Sequence, residues 1–318
     1  MASFLGIDLS KETFHACLLS DRGAAKKVFP NSLKGFEQLV AWLRNRQAVD
    51  VHICMEATGA YWEALALYLH GIEHRVSVVN PARIKAFAQS ELLRTKTDAV
   101  DAALIARFCK SQSPESWLPP PPEIRVLQAF MRHYEHLKTT RVQQSIYEQS
   151  SEASIVKAFI RQVIVTLEEQ IAQVEREIRQ HFDDHPDLKR KRDLLTSIPG
   201  IGETTAGSLL GEIPHLDRFE SAKAVAAFAG LSPRHRRSGT SIHGRPRLCK
   251  TGNSRLRKAL YMPAIVALRF NPVLKIFADR LAAAGKHKRL IIGAVMRKLL
   301  VLAYGILRSG VAFDANYA

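Results

Sequence analysis

Residues 4–11 read F-L-G-I-D-L-S-K, a short apolar run that passes directly into a carboxylate, Asp8. Such a run predicts a buried strand that ends near the carboxylate. Two further strands are predicted over Thr13–Leu19 and Ala24–Pro30, each after a short polar connection. The chain therefore opens on three consecutive strands, and the first of them carries an acid at its carboxyl end.

The elements that follow alternate between helix and strand. Val51–Met55 is almost entirely apolar, which is typical of a central strand covered on both faces, and Glu56 stands at its end. The predicted helices and strands after the opening meander are, in order, Gly35–Arg46, Val51–Met55, residues 61–70, Arg75–Val79 and a helix that starts at Pro81. The order β-β-β-α-β-α-β-α is the ribonuclease-H-like succession, so we predict an α/β fold of this class at the N-terminus.

Four carboxylates stand out in this region. Asp8 and Glu56 end predicted strands, where open sheets carry their functional sites, and Asp98 and Asp101 are three residues apart in a helical stretch and so share one face. Carboxylate oxygens are the ligands that Mg²⁺ prefers, and two such ions can assist phosphodiester chemistry. Each acid alone could be a strand end or a solvated helix face. Together they predict a site for Mg²⁺, with Mn²⁺ as the alternative ion.

Proline marks the end of the N-terminal domain. Residues 111–114, S-Q-S-P, and the run Pro119–Pro122 lack periodicity, and proline excludes regular helix there. We therefore predict three domains, over residues 1–118, 119–185 and 186–318. The middle one is predicted to be α-helical, because apolar residues recur at spacings of three and four at Val156, Ile160, Val163, Leu167, Ile171, Val174 and Ile178. This pattern indicates a coiled-coil connector or, as an alternative, a long hairpin that packs on its own domain.

Positive charge is concentrated in the last third of the chain. Residues 186–318 carry 24 lysines and arginines against 8 aspartates and glutamates, while the two preceding domains are nearly balanced. No acidic residue lies between Glu220 and Asp279. A long acid-free basic surface attracts a phosphate backbone through counterion release, although a merely solvated basic face is the alternative. The distribution predicts a nucleic-acid partner for the C-terminal domain.

The remaining composition argues for an intracellular protein without a membrane partner. Its four cysteines are widely separated, with neither a zinc-type pair nor a dense disulfide pattern, and the N-terminus shows no secretory signal. The apolar stretch Leu290–Leu307 contains Arg297 and Lys298, each costing about 2.5–3.5 kcal/mol in lipid. We predict a packed helix there and a cytoplasmic location.

The C-terminal domain begins with a glycine-rich turn. Residues 194–202 read L-L-T-S-I-P-G-I-G, and a helix is predicted over Glu203–Glu212. The turn is similar to that of a helix-hairpin-helix module, which presents backbone N–H groups to a phosphate. A tight interhelical turn without a ligand is the alternative. The predicted C-terminal fold is therefore mainly α-helical, with a helix-hairpin-helix-like element.

Several motifs in order carry a resemblance to a known family. G-I-D-L-S-K (6–11), M-E-A-T-G (55–59), K-T-D-A-V-D-A (96–102) and the segment F-A-G-L-S-P-R-H-R-R-S-G-T (228–240) resemble the DEDD-type transposases of bacterial insertion sequences, the "one-ten" family, which includes pilin-gene invertases. The resemblance covers essentially the whole chain. It implies a RuvC-like N-terminal domain, a helical connector and a C-terminal transposase domain.

The resemblance also implies a mechanism and partners. The resemblance implies a DNA recombinase that uses a metal site, a serine nucleophile and a structured bridge RNA. This RNA bridges donor and target DNA. On the matching positions, Asp8, Glu56, Asp98 and Asp101 would be both catalytic residues and metal ligands, and Ser238 would be the nucleophile. A homodimer or homotetramer is implied, because several strands are exchanged. Ser232, Ser241 and Ser254 lie in the same segment and are the alternatives to Ser238.

Basic residues around the predicted nucleophile are candidates for nucleic-acid binding. They are Arg234, Arg236, Arg237, Arg245, Arg247, Lys250, Arg255, Arg257 and Lys258. Two other classes of protein stay open. One is a RuvC-like nuclease that hydrolyses Holliday junctions without a covalent intermediate, and the other is a nucleic-acid binder or RNA chaperone whose acids are structural.

Overall fold

A computed structural model describes residues 3–48, 50–92, 98–238 and 242–316. The chain divides into two compact units, Met1–Pro119 and Pro120–Ala318. The first boundary lies one residue from the one that the prolines predict. The predicted connector, 119–185, and the predicted transposase domain, 186–318, fall within the second unit, and their division into separate domains stays a prediction.

The N-terminal unit contains a five-stranded sheet and helices. Its elements are β1 Ser3–Leu9, β2 Thr13–Ser20, β3 Gly23–Pro30, α1 Leu33–Asn45, β4 Val51–Glu56, α2 Glu63–Gly71, β5 Arg75–Val79, α3 Pro81–Ser90 and α4 Asp98–Gln112. The strand order is β3-β2-β1-β4-β5. β1 pairs antiparallel with β2 and parallel with β4, and β4 pairs parallel with β5. This mixed α/β architecture is consistent with the predicted ribonuclease-H-like succession.

Side-chain alternation divides the sheet into two faces. Leu5 and Ile7 of β1 are fully buried in a core that includes residues of α1 and α2 such as Leu39 and Leu65. The residues between them point to the other face, where α4 packs. The alternation therefore decides which acids can face α4.

The C-terminal unit is mainly helical. Its elements are α5 Pro122–Ser150, α6 Ser154–Asp184, α7 Pro186–Thr196, α8 Glu203–Glu212, a 3₁₀ turn Leu216–Arg218, α9 Ala222–Phe228, β6 Pro233–Ser238, β7 Ile242–Leu248, α10 Ser254–Phe270, α11 Pro272–Ala283 and α12 Lys288–Ser309. One hydrophobic core joins the base of the α5–α6 pair to the helices that follow, with Leu127, Phe182, Leu209, Leu260 and Leu299 buried in it.

The α5–α6 pair forms a long helical hairpin, and the coiled-coil connector stays a prediction. Within the predicted seam, Ile160 and Ile178 are buried, whereas Val163 is 47% exposed. Ion pairs join the two helices along their length, including Arg141–Glu168 at 2.7 Å. The buried part of the seam thus packs against α5. Apolar side chains at the distal end of the hairpin are exposed to solvent.

The apolar stretch near the C-terminus is α12. By length and composition it passes as a candidate membrane span, and α10 with α11 would do so as a pair bent by 91°. However, Val295, Leu299 and Ala303 are buried in the core of the C-terminal unit. The packed helix predicted over Leu290–Leu307 is therefore what the structure contains.

Candidate active site

Two of the four predicted acids lie on neighbouring strands. Asp8 is the penultimate residue of β1 and Glu56 is the last residue of β4, and both are half-buried. Ile7 and Met55 are partners in the parallel register, so the two acids follow directly at the same edge of the sheet. Adjacent strands are about 4.8 Å apart, which brings the two backbones into close proximity. Thr58 Oγ1 donates a hydrogen bond to Glu56 Oε1 at 2.6 Å and orients that carboxylate.

Both acids face the same side of the sheet as α4. Ile53 and Met55 are buried with α1 and α2, so Cys54 and Glu56 point the other way, and Cys54 packs against Ile105 and other residues of α4. The same alternation along β1 turns Asp8 to that side. The predicted pair of strand-end acids therefore shares one face and one edge.

The helix α4 lies very close to β1. A Cβ atom on Gly6 would come within 2.2 Å of both the carbonyl oxygen of Ala102 and the backbone nitrogen of Ala106. At the far end, Cys109 Sγ donates to the carbonyl of His52, near the start of β4, at 3.5 Å. The helix therefore runs antiparallel to β1 and β4, and its N-terminus lies at their carboxyl ends.

That orientation brings Asp98 and Asp101 toward the strand-end acids. Both are in the first turn of α4: Asp98 lies one turn before Ala102, which contacts β1, and Asp101 directly precedes it. Asp98 is exposed, with its Oδ2 3.7 Å from Nε2 of His15, the residue that pairs with Asp8 in the β1–β2 register. Carboxylates in the first turn interact favourably with the helix dipole. The fold thus places the N-terminal turn of α4, with Asp98 and Asp101, toward the carboxyl ends of β1 and β4.

The donor set suits a hard divalent cation, because it consists of carboxylates delivered by three separate elements. Among the residues that the structure describes, however, no three His, Cys, Asp or Glu side chains are close enough to hold a metal ion as they stand. Residues 93–97, which precede α4, lie outside the described part of the chain.

The predicted nucleophile lies on a β-hairpin that the sequence reasoning did not predict. Ser238 is the last residue of β6 and pairs in register with Ile242 of β7. The side chain of Ser238 and the alternative Ser241 lie outside the described residues. The expectation of a mainly helical domain is correct for the rest of the unit, but this two-stranded insertion was missed because charge dominates both strands. A glycine between two runs of similar length, Gly239, was the available signal.

The basic residues predicted to bind nucleic acid separate into two groups. Arg234, Arg247, Lys250 and Arg255 are exposed, and Lys258 is exposed and pairs with Glu135. Arg257 differs, because its Nη1 donates to the carbonyls of Ala229, Gly252 and Asn253 at 2.9, 3.2 and 3.3 Å. It ties the start of α10 to the end of α9. For Arg236, Arg237 and Arg245, only the backbone lies within the described part of the chain.

Replacement of the exposed Arg255 is expected to have a different effect from replacement of Arg257, which donates to backbone carbonyls. Arg255→Ala should reduce the slope of log affinity against log salt by roughly 0.9, the value for one duplex phosphate contact. Arg257→Ala should instead lower the free energy of unfolding by roughly 2 kcal/mol, because it leaves three carbonyls without their charged donor. Salt-dependent binding titrations and urea unfolding would measure the two effects. A stability loss confined to Arg255→Ala would contradict this division.

The electrostatic field at the base of the hairpin is positive. The pKa of Cys249 is lowered, first by hydrogen bonds from Thr251 and then by the charges of Arg234 and Arg257. The same charges would stabilise any anion at this position.

The glycine-rich turn between α7 and α8 is present as predicted. Gly200 has φ +108°, and a Cβ there would lie 2.8 Å from Cβ of Ala267, so this glycine packs inward against α10. Gly202 is exposed and begins α8 without a side-chain cap. Backbone N–H groups of the first turn of α8 are therefore the ones that could meet a phosphate.

Two family models match the chain. One described as a transposase matches residues 5–149, and one described as the transposase IS116/IS110/IS902 family matches residues 192–279. The first covers all four acids and the second covers the β6–β7 hairpin.

Relatives extend the match over the full length. A pilin gene-inverting protein of Moraxella lacunata is 38% identical over 315 residues, covering 98% of each chain. Its counterpart from Moraxella bovis is 37% identical with the same coverage. The transposase of insertion sequence element IS1328 from Yersinia enterocolitica is 23% identical over 352 residues, again covering 98% of each chain.

Proposed function

Because the chain belongs to the IS116/IS110/IS902 transposase family, we propose that it is a bridge-RNA-guided DNA recombinase that joins strands through a serine phosphodiester. Family membership makes it a transposase or recombinase that processes DNA. The proposal adds three features to this family assignment: a guide RNA, a serine intermediate and a requirement for Mg²⁺. The observation that supports it is the placement of four acids, from β1, β4 and the first turn of α4, toward the carboxyl ends of β1 and β4 in the five-stranded sheet.

The acids are proposed to hold the metal. Asp8 and Glu56 would do so from half-buried positions on adjacent strands, where the sheet keeps their backbones in register. Asp98 and Asp101 would complete the set from the first turn of α4. When bound, Mg²⁺ or Mn²⁺ supplies Lewis-acid stabilisation of charge on the phosphate oxygens.

Ser238 is proposed to be the nucleophile. Its Oγ forms a bond to phosphorus while the bond from that phosphorus to one DNA oxygen breaks, and the serine proton ends on the departing oxygen. The phosphodiester energy is kept in the serine ester, so the reverse reaction with a new DNA hydroxyl rejoins strands without ATP. Its position beside the turn of a basic hairpin supports access to the DNA backbone.

The proposed partners are donor DNA, target DNA and the guide RNA, in the cytoplasm. The acid-free basic segment and the exposed N-cap of α8, Gly202, support phosphate contacts. A homodimer or homotetramer is supported by apolar side chains left exposed at the distal end of the α5–α6 hairpin, among them Ile146, Tyr147, Ile155 and Phe159.

Detection of a covalent adduct tests the function. The protein is incubated with Mg²⁺, the RNA of its element and labelled donor DNA, and a denaturing gel should show a protein–DNA adduct. Ser238→Ala should abolish the adduct, because no other group at that position can form the ester. Ser254→Ala, an exposed serine of the same basic segment at the start of α10, is the matched control and should keep it.

Other outcomes would change the assignment. Cleavage that proceeds without an adduct and is indifferent to Ser238→Ala would make the protein a metal-dependent nuclease. An adduct that disappears in Ser254→Ala and persists in Ser238→Ala would transfer the nucleophile to α10.

A further inference from the structure

The C-terminal unit contains a groove of about 980 Å³ between α5, α8, α10 and α12. Its floor is apolar and includes Met131, Leu248, Ile292 and Met296. A groove of this volume can hold a ligand of a few rigid groups. Its apolar floor favours a ligand that buries flat apolar surface against it.

The rim of the groove is cationic. Among the residues that the structure describes, five basic residues line it against a single carboxylate, Glu135, and that carboxylate already pairs with one of the five, Lys258. The basic residues are Lys138, Lys250, Arg257, Lys258 and Arg289. The ligand that complements this lining therefore carries several negative charges beside its apolar surface.

An exposed tyrosine, Tyr261, also lines the groove. Its side chain is 47% exposed on α10, and within the described part of the chain it makes neither a hydrogen bond nor a ring contact. The neighbouring Met262 is 61% exposed. An unpartnered tyrosine ring in a cationic groove is the arrangement that stacks nucleobases while the rim holds their phosphates.

The groove also reaches the first turn of α8, which follows the glycine-rich turn. Thr204 and Thr205, in the first turn of α8, line it with their hydroxyl-bearing side chains. Phosphates that follow the basic rim would reach the N-terminal end of α8 without leaving the cavity. The groove thus includes side chains from the helix end that could meet a phosphate.

We propose that this groove binds an unpaired nucleic-acid strand, with Tyr261 stacking on one base and Lys250 and Arg289 contacting phosphates. A duplex keeps its bases stacked inside and would leave the apolar floor and the ring uncovered. An acidic peptide would satisfy the rim but would bring no flat ring system to Tyr261. The inference rests on the proposed function, which supplies DNA and RNA with unpaired segments.

The test compares the affinities of single strands and a duplex of the same sequence. Tyr261→Ala should weaken binding of single-stranded DNA or RNA by about tenfold, as expected when one base loses its stacking partner. Duplex affinity should stay unchanged, and Tyr261→Phe, which keeps the ring, should retain wild-type affinity. Arg289→Ala should reduce the single-strand salt slope by roughly 0.7. Parallel DNA and RNA oligonucleotides show which of the two strands the groove prefers.

Phe270→Ala is the matched control, because Phe270 is an exposed aromatic residue of the same helix, at 61%, but lies outside the groove. Loss of single-strand and duplex affinity by equal factors, or no loss in Tyr261→Ala, would overturn the proposal. The proposal would also be overturned if a polyglutamate peptide displaced the single strand equally well from the wild type and from Tyr261→Ala. None of these results depends on the adduct assay, so the recombinase assignment and the groove can fail separately.

Discussion

Asp98→Asn is expected to lower strand transfer by roughly a thousandfold, because loss of one proposed metal ligand would forfeit about 4 kcal/mol of charge stabilisation in the transition state. Binding of DNA and RNA should remain nearly unchanged, since the basic segment that attracts phosphates lies in the other unit. Asp98 is 70% exposed at the start of α4, and Asn keeps its size, so folding should be affected little. Single-turnover strand transfer and equilibrium binding measure the two quantities.

A second readout separates metal binding from activity. Mg²⁺ or Mn²⁺ should raise the melting temperature of the wild-type protein, because a ligand that binds only the folded state stabilises it. The rise should be smaller in Asp98→Asn at the same ion concentration. Asp21→Asn is the matched control. Asp21 is an exposed acid in the β2–β3 turn, at the edge of the sheet opposite the four carboxylates, and its replacement should leave both quantities at wild-type values.

Two results would contradict the assignment. Unchanged strand transfer in Asp98→Asn would remove this residue from the catalytic set. An equal metal-dependent stabilisation of wild type and Asp98→Asn would show that the ion binds elsewhere on the protein.

The N-terminal sheet was predictable because its signals are local. Burial on both faces of the sheet makes two segments apolar, the run that ends at Asp8 and the run Val51–Met55. The observed strands, Ser3–Leu9 and Val51–Glu56, agree with these two runs. The convergence of Asp8 and Glu56 follows from the parallel pairing of those strands. The approach of Asp98 and Asp101 did not follow, because it depends on the antiparallel docking of α4 onto Gly6.

The C-terminal unit was less predictable because its decisive contacts are distant in sequence. The β6–β7 hairpin has arginines where strands usually carry apolar residues, so neither periodicity nor composition indicates it. A sequence also cannot distinguish an arginine that binds phosphate from one, such as Arg257, that binds carbonyls. The groove around Tyr261 is assembled from four helices and the end of β7, so no single segment of the sequence indicates it.

Gly6→Ala should destabilise the N-terminal unit by about 3 kcal/mol or more, because overpacking against backbone cannot be relieved by a rotamer change. The new Cβ would lie 2.2 Å from the carbonyl oxygen of Ala102 and from the nitrogen of Ala106, so the whole helix α4 would have to move. A loss of this size lowers the melting temperature by roughly 10 °C in a unit of this length. Strand transfer should be lost with it, since α4 carries Asp98 and Asp101.

Controls on the same unit make this result specific. Gly71→Ala, at the end of α2, meets no atom within 4 Å and should be neutral or stabilising by up to about 1 kcal/mol. The double variant Gly6→Ala with Ala106→Gly should not recover stability, because the atoms that clash belong to the helix backbone. Thermal unfolding followed by circular dichroism measures all three. A wild-type melting temperature in Gly6→Ala would mean that α4 does not rest on β1, and Asp98 and Asp101 would then lose the docking that places them toward the carboxyl ends of β1 and β4.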